Sequence, residues 1–196
     1  MVMPIYDTQK AKRINGYLEK HEDPLIGSPR FVEEFIFIMG YAQRTGGPIL
    51  ELACGAGRVM RAVACMGFDI YGIDASRPML EMGMRVKQQL PQEMQDRMHV
   101  IQSDMRSFKL NRMFPLIIIP FSSFWYNLDH EGAVACLRSI MSHLTPKGFF
   151  LIDAPKSQNS LSFFPDQSKR LGFDFTTHEY AHGYGSYLVG WHSIDI

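Results

Sequence analysis

A doubly wound α/β fold, in which a mainly parallel sheet carries helices on both faces, is predicted by three features of this sequence. Five short apolar runs alternate with helical segments between residues 28 and 155, which implies parallel strands joined by right-handed crossovers. The first and fourth runs are continuous rather than alternating, as strands covered on both faces are. The first run breaks into closely spaced glycines and then into a helical period, the strand–turn–helix order found where ligands sit in open α/β sheets.

The chain has 196 residues, 46% of them hydrophobic, with 20 basic and 20 acidic side chains, the profile of one globular domain. Zero formal net charge argues against a broad nucleic-acid footprint or an anionic membrane surface and favours a small partner. Three scattered cysteines, Cys54, Cys65 and Cys136, fit free thiols in a reducing compartment rather than a disulfide framework or a zinc site. No apolar run approaches the roughly 20 residues of a membrane span, and the first residues lack an apolar signal segment, so a cytoplasmic location is expected.

Residues 1–27 are polar and mixed, with a helical candidate over Asp7–Lys20. Ser28-Pro29 starts a helix whose apolar face is Phe31, Val32, Phe35, Ile36 and Met39. Pro48–Leu52 is the first strand; Gly55 and Gly57 follow it, and helical periodicity resumes over Arg58–Met66. Phe68–Asp74 is the second strand, and Ser76 and Pro78 start a helix reaching about Gln89. Pro91–Arg97 reads as a polar connection and Met98–Ser103 as the third strand, closing on Asp104. Phe114–Ile119 is β-branched, continuous and too short for a helix, hence a mid-sheet strand. An aromatic and hydroxyl-rich segment, Pro120–Leu128, leads to a helix over Glu131–Leu144 and a fifth strand, Phe149–Asp153. Ser157–Lys169 reads as loop, and Phe173–Tyr180 with Tyr187–Ile194 as a β-hairpin.

Glu51 separates two ligand classes. A pyrophosphate over the glycines would be repelled by a carboxylate at the strand end, whereas a cation would be favoured. The third glycine of the dinucleotide fingerprint is also absent, because Met60 stands at its position. The remaining pattern, Glu51-x-x-x-Gly55-x-Gly57, resembles the first motif of the class I S-adenosylmethionine-dependent methyltransferases. Asp74 falls 17 residues after Gly57, near the ~20 at which an acid reaches a ribose; the same position could instead cap the next helix. Asp104 is open to a comparable alternative, a loop acid bonding its own turn.

The resemblance covers roughly residues 28–155 and implies a Rossmann-like sheet of order 3-2-1-4-5 plus the C-terminal hairpin. It implies S-adenosylmethionine as cofactor, with Glu51, Ala53, Cys54, Gly55, Gly57, Asp74, Ala75, Asp104, Met105, Pro120 and Phe121 as its contacts and Arg58 as a further candidate. Glu51 would lie near the methionine moiety, Asp74 on the ribose, and Asp104 and Met105 on adenine. Pro120-Phe121 resembles the segment of small-molecule members rather than the Asn-Pro-Pro-Tyr type, so a small-molecule acceptor and no nucleic acid are expected. Tyr6-Asp7 is similar to an N-terminal segment that closes over the site, which makes residues 1–27 a lid or substrate-proximal segment, 28–155 the cofactor-binding domain, and 156–196 a C-terminal loop and hairpin. Members of this family finish with a sixth and a seventh strand. Either the hairpin serves as that pair or the sequence is a fragment lacking it, and the second option is the one expected.

The reaction implied is in-line attack by an N or O atom on a methyl held by a sulfonium, for which no metal or nucleophilic side chain is required. Tyr126, His130 and Asp153 are the candidate bases for an acceptor that arrives protonated, each with an ordinary alternative as wall, helix start or strand end. Competing functions are a nicotinamide-dependent oxidoreductase and a non-catalytic nucleotide-binding module.

Overall fold

The computed structural model describes residues 28–126, 129–155, 162–180 and 185–193. The expected helix over Asp7–Lys20, the Tyr6-Asp7 segment and the hairpin turn at 181–184 lie outside the described residues.

Helix α1 (Pro29–Thr45) opens as its sequence dictates, with Ser28 Oγ accepting from the Phe31 N–H at 3.2 Å and proline in the first turn. Its buried face is Phe31, Phe35, Ile38, Met39 and Ala42, while Val32, expected on that face, is 37% exposed. The stripe therefore runs 31-35-38-42 rather than through 32, and it takes in Glu34, which is only 1% exposed.

Strand β1 (Ile49–Leu52) lies between β2 (Ile70–Asp74) and β4 (Phe114–Ile119), parallel to both. β3 (Met98–Gln102) pairs with β2, and β5 (Leu144–Pro155) pairs with β4, again in parallel. The order 3-2-1-4-5 is thus the one the resemblance implied. The hairpin strands β6 (Phe173–Glu179) and β7 (Gly185–His192) join the same sheet, giving β3-β2-β1-β4-β5-β7-β6. β7 is antiparallel to both β5 and β6. The expectation that the last two strands are missing is corrected: Tyr187–Gly190 pairs directly with Phe150–Asp153, so the hairpin itself serves as the sixth and seventh strands.

Side chains alternate between two cores. Ile49, Leu116, Ile118, Leu151, Tyr187 and Val189 face one core, which they share with α1, α2 (Arg58–Cys65), α3 (Arg77–Lys87) and α4 (Gln92–Arg97). Leu50, Leu52, Ile117, Phe150 and Ile152 face the other, with α5 (His130–His143) and α6 (Phe164–Leu171). By the same alternation Glu51 and Asp153 belong to the α1 face.

Two helices were not legible as such. α4 replaces the expected polar connection and buries only Met94. α6 replaces part of the expected loop; its buried positions are Phe164 and Gln167, and an amide in the stripe hides the apolar period.

Candidate active site

A cleft of about 1240 Å³ opens at the carboxyl ends of β1, β2, β3 and β4, at the point where the strand order reverses about β1. Its floor is the turn after β1. Ala53 and Gly55 take positive φ, and Gly57 (φ 77°) caps α2 in the left-handed conformation. Gly83 lets α3 pack on that turn, since a Cβ there would meet the Ala56 carbonyl at 3.0 Å.

Of the expected contacts, Glu51, Ala53, Cys54, Gly55, Asp74 and Ala75 line the cleft on one side. Asp104, Met105, Pro120 and Phe121 line it on the other. Gly57 does not border it; it is buried beneath the turn it shapes. The three acids at the carboxyl ends of β1, β2 and β3 therefore share one cavity.

Each acid is held differently. Asp74 Oδ2 accepts from the Gly55 N–H and Oδ1 from the Ser76 N–H, both at 2.7 Å. It braces the glycine turn and the start of α3 at once, and second lone pairs on both oxygens remain for a ligand hydroxyl. Asp104 takes a fork from Arg106, whose Nε lies at 3.0 Å from both oxygens and whose Nη2 lies at 2.6 Å from Oδ2. Hydrogen bonding from that guanidinium holds its carboxyl below the usual range. Glu51 is 2% exposed, accepts from the Met60 N–H in the first turn of α2, and leaves Oε2 buried with no hydrogen-bond partner among the described residues. Burial raises its carboxyl well above the ordinary range, and the neighbouring Glu34 and Asp74 raise it further. Burial, then Glu51 and Asp74, push the Cys54 thiol up, so it is no ready nucleophile.

A family model described as "Methyltransferase domain" matches residues 49–148. The chain belongs to the class I S-adenosylmethionine-dependent methyltransferases. The cypemycin N-terminal methyltransferase of a Streptomyces species is 30% identical over 108 residues, covering 55% of this chain and 42% of that protein. The dTDP-3-amino-3,4,6-trideoxy-alpha-D-glucopyranose N,N-dimethyltransferase of Streptomyces venezuelae is 30% identical over 105 residues, 54% of this chain and 41% of that one. The chain thus matches less than half the length of these relatives. Among solved structures, the glycopeptide N-methyltransferase MtfA complexed with S-adenosylmethionine shares the fold, with a TM-score of 0.70 at 21% identity over 80% of this chain and 85% of that one.

Two candidate bases of this methyltransferase domain, His130 and Asp153, do not line the cleft. His130 is exposed at the start of α5 with its ring 5.2 Å from that of Phe163. Asp153 is buried on β5 and accepts from Arg30 Nη2 and Ser122 Oγ at 2.9 Å and from Tyr180 OH at 2.6 Å. Tyr126 closes a 3₁₀ turn over Ser123–Tyr126, and its side chain lies outside the described residues. Phe121 forms cleft wall, whereas Trp125 packs edge-on against Phe124 and Phe164 and donates to the Asp153 carbonyl at 3.2 Å.

The residue that sequence reasoning missed in this methyltransferase domain is Glu34. Its Oε1 accepts from the Phe121 N–H at 2.8 Å, which ties α1 to the cleft wall. Burial pushes its carboxyl up to about 7, with Asp153 adding to the shift. The signal was available as an acid one turn from Phe31 and Ile38 on an otherwise apolar stripe.

Proposed function

We propose that this chain transfers a methyl group from S-adenosylmethionine to an amine nitrogen of a small molecule, by in-line attack in the cleft at the end of β1. The carrying observation is Glu51, a buried acid with an unpartnered oxygen, crowded by two further carboxyls at a glycine turn. Arg58 offsets this crowding only in part, because the carboxyl stays raised, and a ligand bearing an ammonium and a sulfonium would add the positive charge the site favours. A pyrophosphate would add to the repulsion, which disfavours the nicotinamide reading. Amine nitrogen is favoured over oxygen because the Streptomyces venezuelae relative is named an N,N-dimethyltransferase and MtfA an N-methyltransferase.

When bound, S-adenosylmethionine supplies a methyl already activated on a positive sulfur. The chain's own residues then bind and align. Asp74 receives the ribose hydroxyls, Asp104 and Met105 meet the adenine edge, and Glu51 holds the methionine end beside Pro120 and Phe121. With neither His130 nor Asp153 on the cleft wall, Tyr126 is the candidate base for an acceptor that arrives protonated.

S-adenosylmethionine at about 100 times its Kd is expected to raise the melting temperature by roughly 5–10 °C, while NADH leaves it unchanged. Labelled methyl should pass to primary or secondary amines in a panel that also holds phenols and carboxylates. Transfer to the phenols alone would overturn the nitrogen assignment, and binding without any transfer would make the domain a non-catalytic module. Asp74→Ala is expected to weaken S-adenosylhomocysteine binding by about 1–3 kcal/mol through loss of charge-assisted hydrogen bonds, measured by calorimetry. Unchanged affinity would remove Asp74 from the ribose site.

A further inference from the structure

At the end of β4 two consecutive residues that are not glycine, Phe121 (φ 54°) and Ser122 (φ 57°), lie in the left-handed region. The Ser123 N–H closes on the Pro120 carbonyl at 3.2 Å, so the chain makes a tight turn with positive φ at both central positions. Asn-Gly is the pair suited to that geometry; Phe-Ser is not, because each Cβ crowds the neighbouring carbonyl. A turn so disfavoured persists only where its surroundings over-determine it.

The surroundings are on the page. Glu34 Oε1 takes the Phe121 N–H at 2.8 Å. Asp153 and Arg30 hold Ser122 Oγ, at 2.9 and 3.3 Å. Phe31 stacks on the Phe121 ring at 5.9 Å, and the guanidinium groups of Arg30 and Arg58 lie 5.9 and 5.6 Å from that ring's centre. Pro120, Phe121 and Ser123 form the cleft wall facing the glycine turn. An acid on the core stripe of α1 is costly to bury, and an apolar residue of equal length would pack there without that cost. What the apolar residue lacks is an acceptor for the Phe121 N–H.

We propose that Glu34 is a positioning residue for methyl transfer: from α1 it fixes the left-handed Phe121–Ser122 turn in the form that completes the cofactor's wall. The proposal rests on the reading of the cleft as an S-adenosylmethionine site. It assigns Glu34 no contact with the cofactor and no proton transfer. Glu34 acts through the backbone of Phe121.

The test is the affinity of S-adenosylhomocysteine, by calorimetry, for wild type and four variants. Glu34→Met keeps length and volume, removes the buried charge and the acceptor, and is expected to fold; binding should weaken about tenfold. Glu34→Gln keeps an acceptor oxygen and should stay within about threefold of wild type. Ser122→Gly accepts positive φ without strain, so Glu34→Met/Ser122→Gly should regain part of what Glu34→Met loses, measured against Ser122→Gly alone. Thermal unfolding of each variant confirms the folded state. Glu34→Met binding like wild type overturns the role, and so does a loss that neither Gln at 34 nor Gly at 122 recovers. Wild type that binds no S-adenosylhomocysteine overturns the cofactor reading itself, a result distinct from either.

Discussion

Glu34→Gln should be more stable than wild type at pH 8, by up to about 3 kcal/mol, and close to wild type at pH 5. Burial carries the Glu34 carboxyl from the ordinary 4.5 to about 7. The folded protein therefore holds a proton that the unfolded chain has released across that window, and the stability owed to it is present below about 4.5 and lost as pH rises through 7. The groups around it deepen the effect. Asp153 on β5 raises its carboxyl, Arg30 on α1 lowers it, and Glu51, Tyr180 and Tyr187 share the same field. Gln does not titrate and still offers an oxygen to the Phe121 N–H, so the variant keeps the tie and loses the charge. Urea denaturation at pH 5, 6, 7 and 8 measures it. A gap between the two proteins that stays constant over this range would show that Glu34 does not titrate there.

Asp153→Ala should destabilise the fold by about 3 kcal/mol. The carboxylate is 1% exposed and is the meeting point of β5, α1, the Phe121–Ser122 turn and the Tyr180 end of β6. Removing it leaves the buried Tyr180 hydroxyl and Ser122 Oγ short of an acceptor, and each such orphan costs about 1–3 kcal/mol. The ion pair with Arg30 contributes less than its 2.9 Å length suggests, because the Arg30 side chain is 41% exposed and solvent screens it. Asp153→Asn separates these contributions: its amide oxygen keeps one acceptor, and about half of the loss should return. A loss under about 1 kcal/mol in the alanine variant would mean that water replaces the carboxylate and that the cluster is not structural.

The parts of this protein that a sequence shows are those governed by one-dimensional period and turn chemistry. Phe114–Ile119 could only be a central strand, and Ser28-Pro29 could only open a helix; both stand where they were expected. Glu51, Asp74 and Asp104 were findable because each lies at or within two residues of a strand's carboxyl end, and in a parallel sheet those ends converge. The parts that stayed hidden depend on partners far along the chain. Glu34 looks like a surface acid until Phe121, 87 positions away, turns its N–H toward it. Asp153 lies near the end of β5 as the other acids lie near the ends of theirs, yet β7 and α1 enclose it, and no local pattern reports that. The hairpin read correctly as two strands, but nothing local to Phe173–Glu179 or Gly185–His192 states that β7 inserts beside β5.

That insertion has a consequence for how the protein is made. On the ribosome β5 emerges with β4 already available on one side and nothing for the other, and β6 follows without a neighbour at all. Both wait for Gly185–His192, whose eight residues bond to each of them. Until those residues pair, the backbone groups of Phe150–Asp153 form an open strand edge. The pairing of β7 closes the border of β5 and gives β6 its one neighbour, and the open edge of the sheet moves outward to β6.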